Sequence, residues 1–259
     1  MKSGLEIRPV STPEEKEKFR FFMEDVHYLQ KLPTNISFRL GAFYKNEMIG
    51  AIAYGNPTRT EIAQDLGGNL SSKDEIKELR RLVVARESDI PEIKKKMQVP
   101  QWYLSAVKIS SEISNVGSQV IIGGNEEMKT IKPSLKIIIT FADSTQGHHG
   151  GVYQASITPG VTGDYFGQGK DKRLHLYIYY LGSQKERQET RQRILSTPGS
   201  RRPEDDFPKE PGYQYSFKGG KEWRPVHKSK QQEPTTVPQH VPSLKSLAPS
   251  KQLSLWEKK

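Results

Sequence analysis

Residues 135–142 read LKIIITFA, and the three consecutive isoleucines are the feature that most narrows the fold. β-Branched side chains crowd the preceding turn of a helix and pack well on a pleated strand. The run is far short of the ~20 apolar residues that cross a bilayer, and no other run reaches that length. It therefore reads as a strand buried on both faces. Such a strand belongs inside a sheet that helices cover above and below.

The flanking sequence supplies the other layers. LEIRPV (5–10) is a short strand. Residues 12–29 carry Phe19, Phe22, Val26 and Leu29 at helical spacing, with Ser11 or Thr12 as the N-cap. Residues 37–57 form two apolar runs about Lys45-Asn46, a hairpin signature. Residues 75–85 pass into a strand at Leu79–Val84. Residues 101–113 have helical periodicity, a short helix opens at GVYQAS, and RLHLYIYYL (173–181) alternates with period two. The order strand, helix, hairpin, strand, helix, strand, helix, strand predicts an α/β fold. Its core is a mixed central sheet with helices on both faces.

The character of the chain changes near residue 183. SQKERQETRQRIL predicts a basic helix over 184–195. The remainder, 196–259, is rich in Pro, Ser, Lys and Gln and holds few apolar residues, which predicts a largely disordered basic tail. Within it, YQYSF (213–217) reads as a strand or as unstructured, and LSLW (253–256) as unstructured rather than a docking motif. The domain reading is thus 1–183, 184–195 and 196–259. The whole chain carries a net charge of +10, a field that attracts polyanions, nucleic acid above all. There is no cysteine, which excludes disulfides and thiolate metal sites and points to a reducing interior. The first residues, MKSGLEIRPVSTPEEKEKF, lack the apolar core of a secretory leader. The expectation is a soluble, cytoplasmic protein with no membrane partner.

Chemistry-bearing residues concentrate at 140–156, TFADSTQGHHGGVYQAS. Asp143 ends the buried strand, and the carboxyl ends of strands in open α/β sheets are where ligands bind. It could act as a general base, accept a hydrogen bond from a target amine or ligate a metal; Asp also caps helix entrances. His148 titrates near neutrality and suits acid–base work. Adjacent helical residues point about 100° apart, so His148 and His149 do not chelate one ion, and His149 reads as a solvated turn residue. A partial iron site from His148 and Asp143, closed in space by His27 or His175, is the alternative metal reading. Gly147, Gly150 and Gly151 allow tight turns at the helix entrance and let backbone amides face a phosphate or oxyanion. Upstream, Glu78, Arg80 and Arg81 lie in or beside a central strand, where charge is costly unless paired or functional. Alternation sets Glu78 and Arg80 on one face and Arg81 on the other. Glu78 beside a cleft could position a water or an amine.

The element order resembles the GNAT acyltransferase fold, with AFYKNEMIGAIAYGNP as its second and third strands and ELRRLVV as its fourth. The GNAT pyrophosphate loop, Arg/Gln-x-x-Gly-x-Gly/Ala, has no counterpart in VARESDIPEIKKKMQVPQWYLSAVKI, which lacks glycine. Glu78-Leu79, Arg81-Leu82, Ser105, Ala142-Asp143, Gly147-His148, Gly150 and Tyr153-Gln154-Ala155 resemble the phage Mom family over about residues 37–182. That resemblance implies a GNAT-like catalytic domain. It also implies a transferase that adds a methylcarbamoyl group to the exocyclic amine of adenine, masking phage DNA from restriction. It makes Tyr153 the proton donor and brings in Ser105 as a binding residue. The group donor is unknown: a coenzyme A thioester lacks its loop motif, and iron enters only with the metal reading.

DNA is the expected partner. Lys94, Lys95 and Lys96 lie in one segment with Trp102 and Tyr103, and cations beside aromatic rings suit phosphates and an extruded base. Arg80, Arg187, Arg191 and Arg193 would add phosphate contacts, Arg81 and Tyr103 substrate contacts. The cleft is expected between Arg81–Val84 and Ala142-Asp143, with Glu78, Asp143 and His148 around the amine. Two rival readings are an N-acyltransferase for a small amine, protein or tRNA, and a non-catalytic DNA-binding protein on a GNAT scaffold.

Overall fold

The structure is a computed structural model that describes residues 4–58, 62, 66, 70, 74–146, 150–168 and 173–204, and the backbone of 214–218 and 222–226. It opens with strand β1 (Leu5–Pro9) and helix α1 (Pro13–Phe21), which continues as a π-helical turn over Phe22–Val26. Thr12, one of the two expected caps, starts α1 through a capping box. Its hydroxyl accepts from Glu15 N at 3.1 Å while the Glu15 carboxylate accepts from Thr12 N. The hairpin expected about Lys45-Asn46 is β2 (Ile36–Tyr44) and β3 (Glu47–Gly55). Both turn residues have positive φ, 48° and 67°, as a tight two-residue hairpin requires.

Strand β4 (Ile76–Val84) leads through a 3-10 turn to α2 (Ile90–Lys94) and then α3 (Gln101–Ser111). A 16-residue helix follows, α4 (Val116–Ile131), which the sequence reading did not include. Gly123-Gly124 at its centre hides its period, and packing explains the pair. A Cβ on Gly124 would stand 2.6 Å from the Tyr54 hydroxyl, and one on Gly123 would stand 2.7 Å from Ile7 Cγ1. The helix lies on the sheet at glycine distance, a tertiary constraint that outweighs helix propensity. β5 (Ile137–Asp143), a 3-10 turn at Ser144–Gln146, the short α5 (Gly151–Gln154), β6 (Gly163–Gln168), β7 (Leu174–Tyr180) and α6 (Gln184–Ser196) complete the domain. β6 is a second element missing from the sequence reading; GDYFGQ begins with glycine, has another inside, and lacks a strict alternation.

The seven strands run in the order β1-β2-β3-β4-β5-β7-β6. All neighbours are antiparallel except β4 and β5. This is a mixed central sheet, as the sequence implied. The main core gathers residues of the sheet with α1, α3 and α4 and includes Phe19, Phe22, Ile52, Tyr54 and Tyr103. A second, smaller core joins Ile137, Ile139, Phe166 and Ile178 to Ile194 of α6 and to Ile62, Leu66 and Leu70.

After α6 the described chain does not leave the domain at once. Ser200 is buried, its hydroxyl bonded to the Ile194 carbonyl, and Glu204 N donates to Tyr165 O at 2.8 Å on the outer edge of β6. β8 (Gln214–Lys218) and β9 (Glu222–Val226) then pair antiparallel with each other, at the segment YQYSF. LSLW (253–256) lies outside the described residues. Among the described residues no helix is long and apolar enough to cross a membrane.

Candidate functional site

The parallel pair β4–β5 is bonded over four register positions only, from Ile76 opposite Ile137 to Leu79 opposite Thr140. Beyond them Arg81–Val84 stays paired to β3, Phe141–Asp143 stays paired to β7, and the two strands part company. A bulge lies at the fork: Leu79 faces Tyr54 and Arg81 faces Ala53, so Arg80 is an extra residue in β4. An inserted residue bends its strand and raises local twist. The carboxyl ends of two neighbouring strands therefore open into a cleft at the place the sequence indicated.

Thr140 sits at the apex, fully buried, its hydroxyl donating to the Leu79 carbonyl at 3.2 Å. Its oxygen is the hydrogen-bond partner of the Tyr153 phenol on α5. Burial pushes the Tyr153 phenol above its ordinary value; the bond to Thr140 and the nearby Arg81 cation pull the other way. Arg81 enters the cleft from β4. Burial lowers its pKa, and the phenols of Tyr28 and Tyr153 counter that. An arginine remains a cation under such a shift. Its Nη1 donates to Arg80 O at 3.2 Å, while Nε is buried with no hydrogen-bond partner among the described residues. Tyr28 completes the group. It follows the π-helical turn, its ring stacks on His27 with centroids 4.4 Å apart, and its phenol feels both Arg81 and Asp143. The sequence reading passed over Tyr28 because nothing local distinguishes it; only the turn at Phe22–Val26 brings it across to the strand ends.

Asp143 is half-buried at the rim. Its Oδ1 accepts from Thr145 N at 2.9 Å and Thr145 Oγ1 at 2.6 Å, the cap of the following 3-10 turn. Oδ2 has no partner among the described residues. Capping and chemistry thus divide between the two oxygens of one carboxylate. Gly150 starts α5 in the left-handed region, φ 89°, and a Cβ there would stand 2.5 Å from the buried Tyr177 ring. Gln154 donates to the Tyr177 hydroxyl at 3.1 Å, and the Tyr153 and Tyr177 ring centroids are 5.6 Å apart, so α5 is keyed into the sheet. His148, Gly147 and His149 lie outside the described residues.

The remaining candidates occupy other places. Glu78 is buried, and the bulge at Arg80 breaks the alternation expected of this strand: Glu78 faces Gly55 and Arg81 faces Ala53, two residues apart on β3, so the register does not set them on opposite faces. Glu78 Oε2 accepts from Thr58 N and Thr58 Oγ1, both at 2.8 Å, and Arg80 is its ion-pair partner at 3.6 Å. Arg80 also donates to Asn56 O at 2.5 Å. This pair holds the chain that follows β3, and both charges are felt by Arg81. Tyr103 is fully buried, bonded to Asp89 at 3.3 Å, and its phenol is raised by burial. Trp102 packs against Phe21, Phe22 and Tyr103, with the Lys18 amine over its ring at 5.4 Å. These are the two core aromatics α3 needs to seat on the π-helical turn. Ser105 is half-buried with no side-chain bond among the described residues. Lys94, Lys95 and Lys96 are exposed, Lys95 paired to Glu92 at 2.6 Å. Arg191 and Arg193 pair with Asp164 at 2.7 Å and Glu75 at 3.3 Å, and Arg187 Nε is buried without a hydrogen-bond partner among the described residues.

No three His, Asp or Glu gather into a metal-holding group among the described residues. His175 is buried between Tyr165, at 2.7 Å, and Gln168, at 3.1 Å, and His27 accepts from Leu29 N.

Residues 10–94 and 91–158 match the model of the Mom protein family. No curated protein matches the sequence. Solved structures with a similar fold include AAC(6')-Ib in complex with ribostamycin and coenzyme A, at TM-score 0.42 and 11% identity over 75% of this chain and 98% of that one. A GNAT-family acetyltransferase from Streptococcus pneumoniae has TM-score 0.36 and 15% identity, covering 69% and 99%. Another from Brucella melitensis, in complex with acetyl-CoA, has TM-score 0.36 and 10% identity, covering 70% and 91%.

Proposed function

On the premise that this chain belongs to the Mom protein family, we propose that it is a transferase that adds a methylcarbamoyl-type group to the exocyclic amine of adenine in DNA. The observation that carries the reading is the cluster at the fork of β4 and β5: Arg81 with an unbonded buried Nε, the Tyr153–Thr140 pair, Tyr28 and the rim carboxylate of Asp143.

The target nucleotide is extruded from the duplex so that its amine reaches the fork. The amine nitrogen attacks the carbonyl carbon of the activated donor. Arg81 stabilises the negative charge that gathers on the carbonyl oxygen, an effect that is strong where water is excluded. Asp143 Oδ2 takes the amine proton. The new N–C bond remains, the bond to the leaving group breaks, and Tyr153, neutral because burial raises its pKa, hands its proton to that group. Thr140 holds the phenol in position. Exposed Lys94 and Lys96 add sequence-independent attraction to phosphates.

The segment between β4 and α3 does not fit a coenzyme A pyrophosphate. Residues 85–100 contain no glycine for close backbone approach, and they form a 3-10 turn and α2 instead of an open loop. The donor is therefore left as an activated carbonyl compound, and no step depends on the coenzyme.

The test is to express the chain in bacterial cells, digest their DNA to nucleosides and weigh the adenosine by mass spectrometry. The expected product is a heavier deoxyadenosine that disappears with Asp143→Ala and Arg81→Ala. Unmodified adenine with salt-sensitive DNA binding would favour a non-catalytic DNA-binding protein. A product on a small amine, protein or tRNA would favour an N-acyltransferase.

A further inference from the structure

The turn that carries Tyr28 to the fork also carries Leu29, and both are exposed, Tyr28 by 46% and Leu29 by 38%. The apolar residues that bracket them, Val26 and Leu32, pack against the main core. A single apolar residue at a surface needs no explanation. This pair differs because its backbone is held and because it adjoins the candidate site. His27 N donates to the Phe22 carbonyl at 3.0 Å and closes the π-helical turn. Gln30 N donates to His27 O at 2.8 Å, and Leu29 N donates to His27 Nδ1 at 3.1 Å. Gln30 has φ 45°, the left-handed region that a residue with a Cβ occupies only where its surroundings impose it. The His27–Tyr28 ring stack adds a further restraint. Four residues are thus fixed in a shape that leaves a leucine at the surface.

The position of the tip says what meets it. The Tyr28 phenol feels Arg81 and Asp143, so the tip and the fork belong to one surface, and a base bound for the fork must pass Leu29. An adenine that reaches the fork has left its stack at a cost in stacking and pairing, and the vacated place closes again unless something fills it. Proteins that open a duplex fill such steps with apolar side chains, leucine among them. Lys31, exposed two residues on, supplies a phosphate contact. We propose that Leu29 is a wedge that enters the DNA base stack as the target adenine leaves it and so prolongs the extruded state on which transfer depends. This inference rests on the reading of the chain as a DNA-modifying transferase.

Extrusion can be read without the group donor. Short duplexes carry 2-aminopurine, an adenine analogue whose emission rises when it leaves the stack, at one adenine in every flanking context. A second set lacks the base opposite the analogue, so that extrusion costs less. Full-length wild-type protein is expected to raise the emission of both sets. Leu29→Ala is expected to lower the extruded fraction about tenfold on the paired duplexes and by no more than about twofold on the second set. Duplex affinity by anisotropy and the melting temperature are retained, because the side chain removed is at the surface. Leu29→Met keeps an apolar wedge and the wild-type response. A Leu29→Ala protein that matches wild type on paired duplexes, or is equally impaired on both sets, overturns the proposal and leaves the base-modification reading standing. Wild-type protein that extrudes the analogue in no context overturns the proposal too. The nucleoside analysis of cellular DNA then decides the reading separately: a heavier deoxyadenosine keeps it, and unmodified adenine removes it.

Discussion

Gly150→Ala separates a structural from a binding role for the glycines that open α5. In the native chain Gly150 has φ 89°. For an L residue the left-handed region costs roughly 1–2 kcal/mol. The added Cβ would meet Tyr177 Cε2 at 2.5 Å and Tyr177 Cζ and Oη at 2.6 Å. Tyr177 has little room to retreat. It is fully buried, its hydroxyl is held by Gln154 at 3.1 Å, and the rings of Tyr153 and Tyr165 lie 5.6 and 5.0 Å away. Overpacking of that kind costs about 1–3 kcal/mol. The sum is about 2–5 kcal/mol, equivalent to a melting point lower by roughly 5–15 °C for a domain of this size. Thermal unfolding by near-UV circular dichroism reads it. Tyr177→Ala is destabilising alone, but combined with Gly150→Ala it removes the clash, so the pair should cost less than the sum of the singles. A Gly150→Ala protein that melts with wild type while losing activity, or strictly additive singles, would refute the packing argument and favour an anion-binding role for the Gly150 backbone.

Four further outcomes follow from the same geometry. Tyr153→Phe should lower transfer by about a hundredfold or more with stability changed by about 1 kcal/mol or less. Because burial raises the native phenol's pKa, the wild-type rate should hold across neutral pH and fall only as pH rises through that raised value; a loss centred below pH 9 would exclude Tyr153 as the proton donor. Asp164→Asn should cost about 2–4 kcal/mol in urea unfolding. The buried carboxylate of Asp164 accepts from Gly160 N at 2.9 Å, the Tyr180 hydroxyl at 2.8 Å and Arg191 Nε at 2.7 Å. Glu15, held at a pKa of about 2 chiefly by its bond to Arg8, has a lowered folded value. Its contribution is therefore present above the ordinary carboxylate range and disappears as pH falls from about 4.5 to 2. Glu15→Gln keeps the capping geometry and should lose about 1 kcal/mol at neutral pH, discounted for exposure, and nothing at pH 2. A pH-independent difference would put the effect in the cap.

Local sequence was enough for elements whose signal is carried by their own residues. The isoleucine run of β5, the positive-φ pair Lys45-Asn46 in the hairpin and the Thr12 capping box each act within a few positions, so their physics is written in neighbouring letters. The mixed sheet and the cleft between the ends of β4 and β5 followed from strand periodicity, whereas the bulge at Arg80 broke the alternation that would have set Glu78 and Arg81 on opposite faces. Where the signal was tertiary, the letters misled. The glycine pair in α4 looks like a break and is a close approach to Tyr54 and Ile7. Trp102 and Tyr103 beside three lysines look like a nucleic-acid surface, yet Tyr103 is core and Trp102 packs against it. The arginines of α6 look like phosphate contacts, yet Arg191 and Arg193 meet the carboxylates of Asp164 in β6 and Glu75 just before β4. Charge in a sequence has a sign but no partner, and a ring has no address until packing assigns one. The same holds for the site itself. Asp143, Arg81 and Tyr153 could be read from strand ends and motif, whereas Tyr28 and Thr140 joined them only because the bulge at Arg80 opened the strands and the π-helical turn carried Tyr28 to the fork.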